Sequence, residues 1–142
     1  MKKQFVGKGA GKCAGIAVWL LLGGIFSSAV FAGDVAVMKV RFEQRGDSWH
    51  VNTTLRHADT GWQHYADAWR IVDESGKVLG TRTLYHPHEN EQPFTRNLND
   101  VRIPADTHIV FVEAHDNVHG WNKQRVRVDL RKARGERFEV RR

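Results

Sequence analysis

The segment Ser48–Arg56 alternates with a period of two: Trp49, Val51, Thr53 and Leu55 interleave with His50, Asn52, Thr54 and Arg56. A strand turns successive side chains to opposite faces, so this pattern asks for a sheet with one buried and one wet face. Gln124–Leu130 repeats it, with Val126, Val128 and Leu130 set against Arg125, Arg127 and Asp129. From Gly33 onward there is almost no helical periodicity. Further β-rich runs occupy Val35–Glu43, Ala66–Val72, Val78–Leu84, part of Phe94–Ile103, and His108–His115. The last holds a nearly continuous apolar stretch, Ile109–Val112, suited to a central strand covered on both faces. Seven short strands with turn signals between them predict an all-β fold, an immunoglobulin/fibronectin-III-like antiparallel β-sandwich. Trp49 and Trp69 are expected in its core.

The two ends of the chain have a different character. Residues 1–32 carry Lys2, Lys3, Lys8 and Lys12 and no acid, followed by the apolar run Ile16–Phe26 and the small-residue segment Ser27–Ala32. Val30 and Ala32 fit the −3 and −1 positions of a signal peptide cut before Gly33. Uncleaved, the same segment would be a membrane anchor, the one membrane contact this reading allows. Either way the domain is exported, and a bacterial periplasm is the expected location. Residues 131–142 form a charged C-terminal tail expected to fray. These ends account for the basic balance. The body, 33–130, holds twelve basic and fourteen acidic residues, although the whole chain carries a formal charge of +6. A nucleic-acid-binding domain is therefore not expected. The one cysteine, Cys13, lies in the leader, so the exported domain has no disulfide, thiolate metal site or cysteine nucleophile.

The connections are of two kinds. Gln44–Asp47, Asp73–Lys77 and Pro104–Thr107 are tight-turn material. The segments 57–65 (HADTGWQHY), 85–93 (YHPHENEQP) and 116–122 (DNVHGWN) are longer and rich in His, Trp, Tyr and acids. If each strand runs antiparallel to its predecessor, connections alternate between the two ends of the sandwich. The three plain turns then fall at one pole and the three unusual loops at the other, where sandwich domains commonly carry binding sites.

Six of the eight histidines lie in or beside those loops: His57, His64, His86, His88, His115 and His119. Imidazole suits copper(II) and zinc near neutral pH because a ring nitrogen is free to donate. His86-Pro87-His88 would direct two rings to one side of an extended segment. His115 and His119 flank a tight loop with Asp116, and His57 and His64 flank Asp59. These spacings predict a metal site led by His86, His88, His115 and His119, with His57 and His64 next and carboxylates such as Asp59 and Asp116 holding the rings. The expected function is a periplasmic metal-binding protein. The alternative is a non-catalytic interaction module in which Trp62, Tyr65 and Trp121 meet a periplasmic protein partner or small ligand. No G-x-S-x-G elbow, P-loop or H-E-x-x-H is present, so the chain is not read as an enzyme. A hydrolase or isomerase using a His–Asp pair is a third reading.

The loop motifs HADTGWQHYADAW (57–69), LGTRTLYHPHENEQPFTR (79–96) and VEAHDNVHGW (112–121) resemble those of an uncharacterised family of small exported proteobacterial proteins. The resemblance covers most of residues 48–130. It implies export and a compact domain and carries no activity with it.

Overall fold

The computed structural model describes residues 33–142 together with Lys3, Gln4, Gly7 and Gly9. The leader expected over 1–32 otherwise lies outside the described residues. The strands are β1 (Ala36–Arg45), β2 (Ser48–Arg56), β3 (Ala66–Asp73), β4 (Val78–Thr83), β5 (Phe94–Val101), β6 (Ile109–Asp116), β7 (Gly120–Trp121), β8 (Val126–Asp129) and β9 (Phe138–Arg141). One sheet has the order β5-β2-β1-β9 and the other β4-β3-β6-β7, with β8 also paired to β6. The first three strands of one sheet and the β4-β3-β6-β8 path of the other reproduce the expected sandwich. Among the described residues there is no helix.

The inward-facing positions are those the alternation marks. Trp49, Val51 and Leu55 of β2 are buried, and Thr53 lies among them. Trp69, Trp49, Phe42 and Phe94 are the largest members of a core otherwise dominated by valine. These β-branched side chains fit a pleated surface at little rotamer cost. β1 contains a bulge between Val37 and Lys39, opposite β2. The extra residue, Met38, turns outward, and the shift of phase lets Val37 and Val40 both face the core. The β1–β2 hairpin closes through Gly46, whose φ of 61° suits the first position of a two-residue turn.

Two expectations change. First, β6 is central, but its outer face has no second layer. Phe111 is capped there by the Arg125 guanidinium, 3.8 Å from the ring centroid. Second, the charged C-terminal tail does not fray. Its Phe138–Arg141 stretch becomes β9, parallel to β1, with Val140 7% exposed and Phe138 packed against the core. Its outward Glu139 lies between Lys39 (3.3 Å) and Arg41 (3.1 Å), so ion pairs across the strands tie the tail to β1.

The predicted convergence of the three long loops is observed. The His88 N–H donates to Asp59 Oδ2 at 2.6 Å, joining the β4–β5 loop to the β2–β3 loop. The Tyr65 N–H donates to Asn117 Oδ1 at 2.9 Å, and the Asn117 amide donates to the Trp62 carbonyl at 3.0 Å. Those bonds join the β2–β3 loop to the loop after β6.

Candidate functional site

Each loop delivers its polar side chains where a strand ends. His57 follows β2, His64 precedes β3, and Asp116 ends β6 with His119 in the turn beyond it. His57 Nε2 and His64 Nε2 stand 3.2 Å apart, and His64 Nε2 is 3.4 Å from Asp116 Oδ1. His119 Nδ1 is 3.1 Å from the same Asp116 oxygen. The result is two overlapping groups that share Asp116: His57, His64 and Asp116, and Asp34, Asp116 and His119. Ligand atoms held about 2.0–2.1 Å from a tetrahedral zinc lie about 3.3 Å from one another. The spacing of the two imidazole nitrogens and the carboxylate matches that edge.

The Asp116 side chain is 1% exposed. Burial works against its ionisation. Yet backbone N–H donors from His119 (2.7 Å) and Val118 (3.0 Å), with the nearby His119 and His57 rings, hold the carboxyl below the usual carboxylate range. Both N–H groups bond Oδ1, whereas Oδ2 is buried without a partner. A buried carboxylate oxygen left unpartnered costs on the order of 1–3 kcal/mol unless something positive meets it.

Asp59 organises the second layer. Its side chain and that of His57 are fully buried, and Oδ1 lies 2.5 Å from His57 Nδ1. With the Nδ1 hydrogen donated to Asp59, the Nε2 lone pair is directed toward His64, the carboxylate–histidine arrangement that raises ligand basicity. The Gly33 carbonyl oxygen also stands 2.8 Å from His57 Nε2. Two acceptors face each other comfortably at that distance only across a shared proton or cation.

The other candidates from the sequence lie apart from this cluster. His88 is buried and stacked flat on Phe94, with centroids 4.0 Å apart and planes within 8°. Neither of its ring nitrogens has a partner, and the nearer contact to Asp59 Oδ2 is 3.9 Å. Burial, helped by the charge of Arg96 and His86, holds its imidazole below the ordinary histidine value. His86 is exposed, its ring 4.5 Å from that of His88. His115 points from the outer face of β6 to Asp67, with 2.5 Å between Nδ1 and Oδ1, and packs edge-on against Trp121. Of the four leading candidates His119 alone joins the cluster, while His86 and His88 lie against each other and His115 pairs with Asp67 of β3; the other imidazoles of the cluster are His57 and His64.

Of the aromatic residues, Trp69 is fully buried and Trp49 is core, as expected. Trp121 lies under the Arg70 guanidinium at 3.8 Å. Trp62 is 63% exposed and packs edge-on against Tyr65 at 5.7 Å. A groove of about 360 Å³ opens beside the cluster, lined by Asp34, Asp116, His119, Gly120, Trp121 and Asn122. Gly33 and Asp34 are the members that sequence motifs miss. Their one signal is position, directly after the expected cleavage site.

No protein-family model matches the chain. A protein of Halomicrobium mukohataei that bears a lipoprotein name is 38% identical over 84 residues, which is 59% of this chain. The chain spans 41% of that relative's length. Among solved structures, a hypothetical protein from Pyrococcus horikoshii OT3 is similar over 67% of this chain and 89% of its own, at 16% identity and a TM-score of 0.42.

Proposed function

We propose that this protein is an exported metal-binding protein whose site is formed by His57, His64, His119 and Asp116, with copper(II) or zinc as the metal. The observation that carries the reading is the pair of imidazole nitrogens 3.2 Å apart, one of them 3.4 Å from Oδ1 of a buried carboxylate whose Oδ2 has no partner. Three nitrogens and one oxygen suit either ion: zinc as a tetrahedron, copper(II) in tetragonal form. Export is supported by the leader pattern in residues 1–32 and by the name of the Halomicrobium relative. Carriage or buffering of the ion is the role we assign to the site.

The test is metal content. The protein is purified without a tag from the periplasm, analysed for bound elements, and titrated with Cu²⁺ and Zn²⁺. We expect close to one equivalent and an affinity that falls by about 100-fold in His64→Ala and His119→Ala. Both of those side chains are partly exposed, so the variants should fold. His86→Ala should leave affinity unchanged. Weak, non-stoichiometric uptake, or binding that depends on His86 and not on His64, overturns the proposal.

Exposed Trp62, packed on the half-buried Tyr65, supports a second reading, an aromatic docking surface for a periplasmic protein. Under that reading Trp62→Ala abolishes partner capture, and the histidine variants leave it intact.

A further inference from the structure

The residues just after the expected cleavage site are held at the histidine cluster. The Gly33 carbonyl is 2.8 Å from His57 Nε2. A Cβ on Gly33 would stand 3.1 Å from His119 Cε1 and 3.6 Å from His119 Nε2. Asp34 Oδ1 is 3.8 Å from His119 Nδ1. Asn122 donates to the Val35 carbonyl at 2.7 Å, which fixes the segment against the loop after β6. Three successive residues are thus tied to the pole that carries Asp116, although β1 begins only at Ala36.

The chemistry of the Gly33 nitrogen depends on processing. While the Ala32–Gly33 bond is intact, that nitrogen is an amide whose lone pair is delocalised into the carbonyl. Hydrolysis by the export peptidase adds the OH of water to the Ala32 carbonyl and its H to the Gly33 nitrogen. The product is a primary amine with an ordinary pKa of about 7.7–8.0, which a metal can deprotonate and bind near neutral pH. The amine and the carbonyl oxygen of one residue close a five-membered ring on a metal ion. Glycine suits the position because its φ of 150° is one that other residues rarely adopt, and a Cβ there would crowd the His119 ring at 3.1 Å.

We propose that the α-amino group of Gly33, released by cleavage after Ala32, is a ligand of the metal, with the Gly33 carbonyl oxygen beside it. The site is therefore completed only in the exported, processed chain. A nitrogen-rich set of amine and imidazole favours copper(II) over zinc. This inference rests on the reading of His57, His64 and Asp116 as a metal site. It adds a control: the unprocessed chain, inside the cell, lacks one ligand and holds the ion less tightly.

The experiment uses protein expressed from the full-length gene and purified from the periplasm, with its start checked by intact mass. Two forms are compared. One begins at Gly33. The other carries one alanine inserted between Ala32 and Gly33, so that the Gly33 nitrogen remains an amide after processing. Both are titrated with Cu²⁺, and the Cu²⁺-loaded proteins are examined by electron paramagnetic resonance with and without ¹⁵N-glycine labelling. The expected result is an affinity lower by about tenfold or more in the extended form. A ¹⁵N-dependent change in nitrogen hyperfine splitting is expected in the native form and not in the extended one. Equal affinities with no ¹⁵N effect, in protein whose binding is still lost in His64→Ala, reject the amine ligand and leave the histidine site standing. Binding that is absent, or indifferent to His64→Ala, rejects the histidine site itself. An intact mass that retains residues 1–32 rejects the processing step.

Discussion

Replacing Asp59 by asparagine keeps the volume of the side chain and removes its charge. The carboxylate accepts three bonds in a fully buried position: from His57 Nδ1 at 2.5 Å and the Ala66 N–H at 3.1 Å on Oδ1, and from the His88 N–H at 2.6 Å on Oδ2. An amide has one acceptor oxygen. Turned to keep the first two bonds, it presents its NH₂ to the His88 N–H, donor against donor. One charge-assisted bond is lost, worth about 1.5–3 kcal/mol, and a buried donor is stranded where the bond was. The expected destabilisation for Asp59→Asn is about 2–3 kcal/mol. Asp59→Ala strands all three donors, and the expected loss is about 4–5 kcal/mol, close to the whole stability of a marginal domain. Urea unfolding of the metal-free protein, followed by tryptophan fluorescence, reads this as a lower midpoint at unchanged slope. The same substitution frees the His57 ring and should weaken metal binding by about 10–100-fold. An Asn variant within about 0.5 kcal/mol of wild type would refute the claim that Asp59 ties two loops together and orients His57.

His88→Phe should stabilise the protein by about 1–2 kcal/mol at pH 7, because it keeps the ring stacked on Phe94 and removes two buried nitrogens with no partner. It should also flatten the pH dependence. The folded chain holds the His88 proton less tightly than the unfolded chain does. The stability this represents is complete above the unfolded value, near 6.5, and is lost as the pH falls from there through the folded value. Urea midpoints measured from pH 7.5 to 5 check both points, and a lower midpoint for the Phe variant at pH 7 contradicts the account. Ending the chain at Gly135 removes Phe138 and Val140 from the core and uncovers the β1 edge. The expected loss is about 3–5 kcal/mol from buried area, with concentration-dependent association through the bare edge, read by thermal melting and light scattering. A truncated chain that melts with the intact one would show that β9 adds nothing to the sandwich.

The seven main strands could be read from the sequence because their signal is local. Alternation in Ser48–Arg56 or Val126–Leu130 needs only a few residues and the geometry of a strand. β9 carries the same signal, with Phe138 and Val140 against Glu139 and Arg141, but it sits in a run of arginines. What places it in the sheet is a partner about a hundred residues away in sequence, β1, whose Lys39 and Arg41 meet Glu139, while Arg137 and Arg142 donate to the Val37 and Leu130 carbonyls. β7, with two residues, is too short to show any period. Its presence leaves the loop argument intact, because β7 and β8 both pair antiparallel with β6 and form one interrupted path. Strand parity could therefore say which loops meet. It could not say which side chains within them meet. His86-Pro87-His88 gives a clear local pattern, yet the second ring is drawn onto Phe94 by apolar contact, at the β5 end of the other sheet. The cluster that does form takes His57 from one side of a loop and His64 from the other, and Asp116 and His119 from a third strand end. Gly33 and Asp34 join it from just before β1. None of these pairs has a diagnostic spacing, since a site gathered from several loops is arranged by the sandwich and not by any one segment. Short-range motifs overweight neighbours in sequence for that reason. The informative signal here was the number of histidines directed to one pole, and the proposed role of Gly33 shows why the residue just past an expected cleavage site belongs in that count: processing there would change what its nitrogen can bind.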